Sequence, residues 1–223
     1  MNHRSRYRGV VFDLDGTLVD SYEALARAVN FAREQTGYGP LDQARIKSFV
    51  GDGLETLLER AFEGGSVPPE ARSLFENHYD SICCEESRML EEVEETVASL
   101  YAEGFSMAVC TNKPTFFSRK ILEFLGIGRF FEAIVGPDLA GARKPDPRHV
   151  RYAQEATGCS PEETLFVGDM LIDIEAARNA GLDIAVISTG STDAAVLREA
   201  HADYFLEKFS DISAIVRDGS AAQ

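Results

Sequence analysis

The sequence predicts an α/β protein: a doubly wound, mostly parallel sheet with a small helical module inserted near its start. Three observations carry this reading. Short apolar runs of strand length alternate with longer segments of helical length. Glycines stand where two of those helices should stop. About ninety residues separate the first two apolar runs, although a parallel crossover needs only a dozen or so. The 223 residues, 44% hydrophobic and 26% charged, suit one elaborated domain with a packed core that needs no disulfide staples.

Residues 9–12, 107–110, 133–135, 165–167 and 184–187 read as strands buried on both faces. Residues 114–125, 148–157 and 171–180 read as helices, the last two closed by Gly158 and Gly181. Residues 93–103 read as the crossover helix that returns to the sheet. This alternation is Rossmann-like. In the long interval, Leu25, Ala28, Val29 and Ala32 repeat at i, i+3, i+4, i+7, as do Leu54, Leu57, Leu58 and Ala61. Phe75, Tyr79 and Ile82 form a third stripe. The expected division is therefore a core of residues 1–20 and 88–223 and a helical insertion of residues 21–87.

Twenty-two Lys and Arg against 37 Asp and Glu give a net charge of −15, which disfavours nucleic acid as a partner because a polyanion would be repelled. Cys83, Cys84, Cys110 and Cys159 form no CxxC pair, so idle thiols in a reducing compartment, the cytoplasm, are expected. Arg4, Arg6 and Arg8 imitate the start of an export signal, but the apolar residues after them run straight into Asp13. No stretch has the ~18 apolar residues of a membrane span. A soluble monomer or homodimer without membrane partners is expected.

Ligands of open α/β sheets sit at the carboxyl ends of the strands, and the residues there are chemically selective. The first run leads into Asp13-Leu14-Asp15-Gly16-Thr17 and the second into Thr111-Asn112-Lys113. Arg143-Lys144-Pro145-Asp146-Pro147 follows the third, and Gly168-Asp169 ends the fourth, with Asp173 four residues on. Carboxylates gathered in one crevice repel each other, and a hard divalent cation with oxygen ligands, Mg2+ foremost, relieves that repulsion. Beside such a cation Asp13 suits attack on phosphorus, forming an aspartyl-phosphate. Asp15 suits proton transfer to the leaving alcohol and then from water, and Gly16 supplies the freedom to turn the chain at that point. Thr111 and Lys144 suit holding a phosphoryl group through the transition state, and Asp169 completes the metal site. Asp173 reads two ways, as part of the site or as an acid that stabilises a helix start.

Phe12-Asp13-Leu14-Asp15-Gly16-Thr17-Leu18-Val19-Asp20-Ser21, Thr111-Asn112-Lys113, Lys144-Pro145-Asp146-Pro147 and Gly168-Asp169-Met170-Leu171-Ile172-Asp173 resemble the four motifs of the haloacid dehalogenase-like hydrolase superfamily. Within it, the chain looks like the phosphoglycolate phosphatase group. The resemblance covers Arg8 to about Phe209. It implies a Mg2+-dependent phosphatase of small phosphorylated metabolites such as phosphoglycolate-like monoesters. It further implies Asp13 as nucleophile and Asp15 as acid/base, with Thr111, Asn112 and Lys144 on the substrate. Asp13, Asp169 and the main-chain carbonyl of Asp15 would bind the metal. The inserted helices correspond to the family's small cap, and Gly51-Asp52-Gly53 to a loop of that cap that faces the substrate. One segment departs from the pattern: many relatives carry Pro-Gly near the return from the cap, where this chain has Arg88-Met89-Leu90-Glu91-Glu92.

Two readings compete with a phosphatase. A phosphomutase on the same scaffold would be expected to carry a basic residue where Gly51-Asp52-Gly53 stands. A non-enzymatic phosphoacceptor signalling domain needs no helical insertion, and Asp15 would be expected to turn its phosphoaspartate over. Blander readings exist for single residues: Asp-x-Asp as a solvated turn, Thr111 as a helix cap, Lys144 as a loop cation, the two cap glycines as a flexible turn. The ordered company of all four segments favours chemistry. Cys110 reads as core filling, and His78, His149 and His201 receive no role.

Overall fold

The computed structural model describes residues 6–63 and 65–218; Arg4, weighed above as part of an export signal, lies outside them. In chain order the elements are β1 (Gly9–Phe12), β2 (Val19–Asp20), α1 (Tyr22–Gln35), α2 (Gln43–Lys47), α3 (Leu54–Ala61), α4 (Ala71–Ile82), β3 (Arg88–Met89), α5 (Val93–Ala102), β4 (Ser106–Cys110), α6 (Thr115–Phe124), β5 (Ala133–Val135), α7 (Pro137–Ala140), α8 (Pro147–Ala156), β6 (Thr164–Gly168), α9 (Leu171–Ala180), β7 (Asp183–Ile187), α10 (Ala194–Glu199), β8 (Tyr204–Leu206) and α11 (Ile212–Asp218).

Side-chain alternation builds the central layer. In β1, Val10 and Phe12 join one apolar cluster and Val11 the other; in β4, Met107 and Val109 oppose Ala108 and Cys110. Strands buried on both faces in this way must be covered by helices on both sides. Residues of α8 and α9, among them Val150, Ala153, Ile174 and Ala177, cover one face. Residues of α5, α6 and α11, among them Val97, Ile121 and Val216, cover the other. Each fully buried Val or Ile side chain among these stabilises the fold by about 1.5 to 3 kcal/mol relative to exposure.

Six parallel strands run in the order β5-β4-β1-β6-β7-β8. The order reverses around β1, and Phe12 stands opposite both Val109 of β4 and Val167 of β6. The residues following these three strands therefore emerge side by side at the reversal point, where open α/β sheets bind ligands.

The first four helices lie between β2 and β3, which pair antiparallel through Val19↔Met89 and Asp20↔Arg88. The chain leaves for these helices and returns from them through one narrow ribbon. Helices α1 and α4 pack most extensively on each other, with Phe31 stacked on His78 at 4.2 Å. In the segment where many relatives carry Pro-Gly, Glu92 takes a left-handed conformation at φ 64, which glycine adopts more readily. Its Oε2 accepts the Ser210 N–H at 3.0 Å.

The anticipated strands and helices are present, with ends displaced by a residue or so. The ribbon β2–β3, the edge strand β8 and the five-residue α2 were not anticipated, since two to five residues are too few to display a period. Cys110 fills the core as expected. His149, given no role above, is fully buried, with Nε2 3.1 Å from the Val135 carbonyl. Burial foremost, then the Lys144 charge, lowers its pKa to about 4. The folded protein thus holds this ring neutral while the unfolded chain protonates it near 6.5. The resulting stability is complete above about pH 6.5 and is lost as pH falls toward 4. Urea unfolding of wild type and His149→Gln across this window should show the wild type losing up to about 3 kcal/mol more than the variant.

Candidate active site

The loop after β1 is fixed by backbone bonds before any side chain acts. The Asp13 N–H donates to the Val167 carbonyl at 2.9 Å, and Leu18 and Val19 both donate to the Leu14 carbonyl. Gly16 turns the chain at φ 88, and a Cβ there would stand 2.6 Å from Asp169 Oδ2 and from the Tyr22 hydroxyl oxygen. Both the turn and the crowding require glycine.

Lys144 is 2% exposed. Its Nζ lies 2.8 Å from Asp13 Oδ1 and 2.7 Å from Asp173 Oδ1. Burial works against the ammonium, but the two carboxylates outweigh it and hold its pKa above the ordinary lysine range. Asp173 Oδ2 accepts the N–H groups of Asp169 and Met170 at 3.1 and 3.0 Å. One carboxylate thereby contacts Lys144 and closes the first turn of α9. Asn112 accepts the Lys144 N–H at 2.8 Å and donates to the carbonyls of Lys144 and Gly51 at 3.2 and 2.9 Å. Its side chain, expected on the substrate, is occupied in pinning two loops together. Thr111 is buried beside it, and its hydroxyl accepts the Lys113 N–H at 3.2 Å.

Oxygens of Asp13, Asp169 and Asp173 lie within 4.8 Å of one another. Asp169 Oδ1 accepts the Thr17 hydroxyl at 2.9 Å, while Oδ2 is buried with no hydrogen-bond partner among the described residues. Burial first, then the neighbouring carboxylates Asp173 and Asp13, pushes the Asp169 pKa well up. Burial likewise raises that of Asp13, with Lys144 opposing. An orphaned carboxylate oxygen amid other buried carboxylates is the environment a hard cation stabilises. The all-oxygen donor set fits a divalent metal.

The Asp15 carboxylate, which also lines the crevice, is held by a second cation. Its two oxygens lie 2.5 and 2.6 Å from Lys113 Nζ, and Oδ1 accepts the Ser21 hydroxyl at 2.5 Å. Lys113 had been quoted only as part of its segment; its place directly after a strand end that faces acidic residues was the available signal. Burial opposes its charge, but Asp15 prevails and raises its pKa.

The crevice above these groups is walled on the inserted-helix side by Leu25, Leu54, Leu57, Phe75 and Tyr79, with Gly51 and Gly53 at its rim. A Cβ on Gly51 would meet Met170 Sδ at 2.5 Å, so this loop rests on the start of α9. Asp52, expected to face the substrate, instead directs its carboxylate to Arg60 at 2.6 Å. Gly53 precedes α3 with φ 93 and ψ 171, a combination that only glycine adopts readily.

Residues 10–187 match the family model of the haloacid dehalogenase-like hydrolases. The chain belongs to this family. Among similar proteins, the phosphoglycolate phosphatase of Colwellia psychrerythraea is 37% identical over 190 residues, covering 81% of this chain and 84% of that one. The phosphoglycolate phosphatase of Caulobacter vibrioides is 36% identical over 209 residues, covering 91% and 88%. A crystal structure of a predicted phosphoglycolate phosphatase from Haemophilus somnus superimposes with a TM-score of 0.84 at 29% identity, covering 95% and 98%. This haloacid dehalogenase-like hydrolase is a phosphatase. Its acidic cluster and buried lysine stand at the sheet reversal that the fold reserves for ligands.

Lys144→Ala should lower kcat/KM for a phosphate monoester by about two to three orders of magnitude, as losing one electrostatic donor does. It should also destabilise the fold by about 3 to 5 kcal/mol, because two buried carboxylates lose their counter-charge. Steady-state kinetics and urea unfolding read the two effects separately.

Proposed function

We propose that the protein hydrolyses small phosphorylated metabolites, phosphoglycolate-like monoesters first, through a phosphoaspartyl intermediate on Asp13. The observation that carries this reading is the setting of Asp13: a buried carboxylate at the end of the central strand, paired with buried Lys144, beside an Asp169 oxygen that lacks a partner. The names of the relatives from Colwellia and Caulobacter support the substrate.

In this reading Asp13, Asp169 and the main-chain carbonyl of Asp15 hold Mg2+. When bound, the ion supplies positive charge that offsets repulsion between the Asp13 carboxylate and the phosphoryl oxygens. Asp13 attacks phosphorus while Asp15 gives its proton to the departing alcohol oxygen. Asp15 then takes a proton from water as that water attacks the phosphoaspartate, which releases inorganic phosphate and restores Asp13. Thr111 and Lys144 hold the phosphoryl oxygens. Asp173 and Asn112 act through Lys144, as positioning residues.

Residues 21–87 form the cap, inserted in a core of residues 1–20 and 88–223. Its described residues that line the crevice carry no basic group, which favours hydrolysis over a phosphomutase holding a second phosphate. A signalling phosphoacceptor is disfavoured because Asp15, acting as acid/base, would be expected to turn the phosphoaspartate over. The net charge of −15 argues against nucleic acid. Among the described residues no helix is long and apolar enough to cross a membrane. The four cysteines are free, in keeping with the cytoplasm, where the enzyme would act as a monomer or homodimer.

Asp13→Asn should abolish turnover, since an amide is neither a competent nucleophile nor a charged metal ligand. Residual activity above a few per cent in purified protein would remove Asp13 as nucleophile. Excess chelator should stop wild-type turnover and added Mg2+ should restore it; undiminished activity in chelator would count against the metal site. Selectivity among monoesters is expected to lie in the cap wall. Leu57→Asn should therefore reorder kcat/KM across a monoester panel at unchanged metal dependence, whereas a uniform fall would place the determinant elsewhere. Leu57 is the better probe than Gly53, where any side chain would strain the backbone.

A further inference from the structure

We propose that Lys113 is a positioning residue that holds the Asp15 carboxylate in the orientation proton transfer needs. The inference rests on Asp15 being the acid/base of the proposed reaction. Lys113 and Asp15 have side chains only 5% and 11% exposed, and a buried ion pair is by itself weak evidence for stability. The geometry of this pair is specific. A single ammonium lies within 2.6 Å of both Asp15 oxygens. Ser21 donates to Asp15 Oδ1 at 2.5 Å and its hydroxyl oxygen lies 3.3 Å from Lys113 Nζ. The ammonium also stands 5.3 Å from the centre of the Tyr79 ring in α4.

The two aspartates of the β1 loop are thus held by different cations, Asp13 by Lys144 and Asp15 by Lys113. Asp15 lies beyond the end of β1, in an isolated bridge to Val19 and just before a glycine in a turn, and its backbone pairing does not fix its χ angles. A carboxylate there could rotate away from the scissile oxygen, and proton transfer fails once the heavy atoms leave hydrogen-bond reach. Lys113 comes from the loop after β4, Ser21 from the residue after β2, and Tyr79 from α4. The anchoring of Asp15 therefore depends on core and inserted helices together.

Leaving-group dependence tests this. Departure of an alkoxide needs protonation; departure of p-nitrophenolate hardly does. The ratio of kcat/KM for p-nitrophenyl phosphate to that for an alkyl phosphate monoester reports the use of Asp15, and because both values come from one sample, it is unaffected by the fraction of protein that is folded. For Asp15→Asn and Lys113→Met the ratio is expected to rise at least about tenfold, the lower part of the ~10²- to 10⁴-fold typical of general acid–base catalysis. Lys113→Arg should return it toward wild type, and adding Lys113→Met to Asp15→Asn should leave it unchanged. Lys113→Gln replaces the Met variant if the latter does not fold. If Asp15→Asn shifts the ratio and the Lys113 variants do not, the positioning role is wrong while the acid/base reading stands. If Asp15→Asn itself leaves the ratio alone, the acid/base reading fails and the proposal falls with it. A further rise in the double variant would mean that Lys113 acts on the substrate directly, which also overturns the proposal.

Discussion

The buried ammonium of Lys144, shared between Asp13 and Asp173, is the contact on which the rest of the site depends. Three carboxylates within 4.8 Å of each other would be intolerable in a low-dielectric pocket without counter-charge. The fold supplies one such charge and spends other groups on keeping it still. Asn112 brackets its backbone, and Asp173 links it to the N–H groups of the loop that carries Asp169. A buried carboxylate oxygen without a partner among the described residues, Asp169 Oδ2, points to a cation. The organisation of the site is thus a consequence of electrostatic compensation at the mouth of the sheet, and the sheet order decides where that mouth lies.

A phosphatase built this way separates two tasks. Under the proposed function the groups from the sheet would address what every phosphate monoester shares. The apolar wall of Leu25, Leu57 and Phe75 belongs to the inserted helices and, under the proposed function, would face what differs between monoesters. The shared haloacid dehalogenase-like framework and the distinct identity of any one substrate therefore have different physical origins in the same chain.

Much of this was legible in the sequence because the signals were local. Both-face burial wrote continuous apolar runs for β1, β4 and β6, and acidic, hydroxyl and basic residues followed each run directly. What stayed hidden depended on where side chains turn in three dimensions. Asp52 looked like a charge for the substrate, but Arg60, near the far end of α3, pairs with it. Asn112 looked like a substrate contact; it lines the crevice, and its amide also satisfies backbone groups of two distant loops, which the sequence did not reveal. Lys113 lies 98 residues from the aspartate it grips, a separation across which residue spacing carries no information. The ribbon β2–β3 is two residues long on each side and leaves no pattern to detect.

The seating of Gly51 against Met170 bears on how its loop is held to the core. That loop meets the start of α9 next to Asp169, and its polar ties to the core are the Asn112 amide on the Gly51 carbonyl and a long 3.4 Å contact from Arg143 to the Asp52 carbonyl. A hydrogen bond of this kind contributes about 0.5 to 1.5 kcal/mol net, only a few times thermal energy. The loop is therefore fastened as a latch rather than a bolt: its hold on the core depends on a close fit of glycine against Met170 and little on polar bonds.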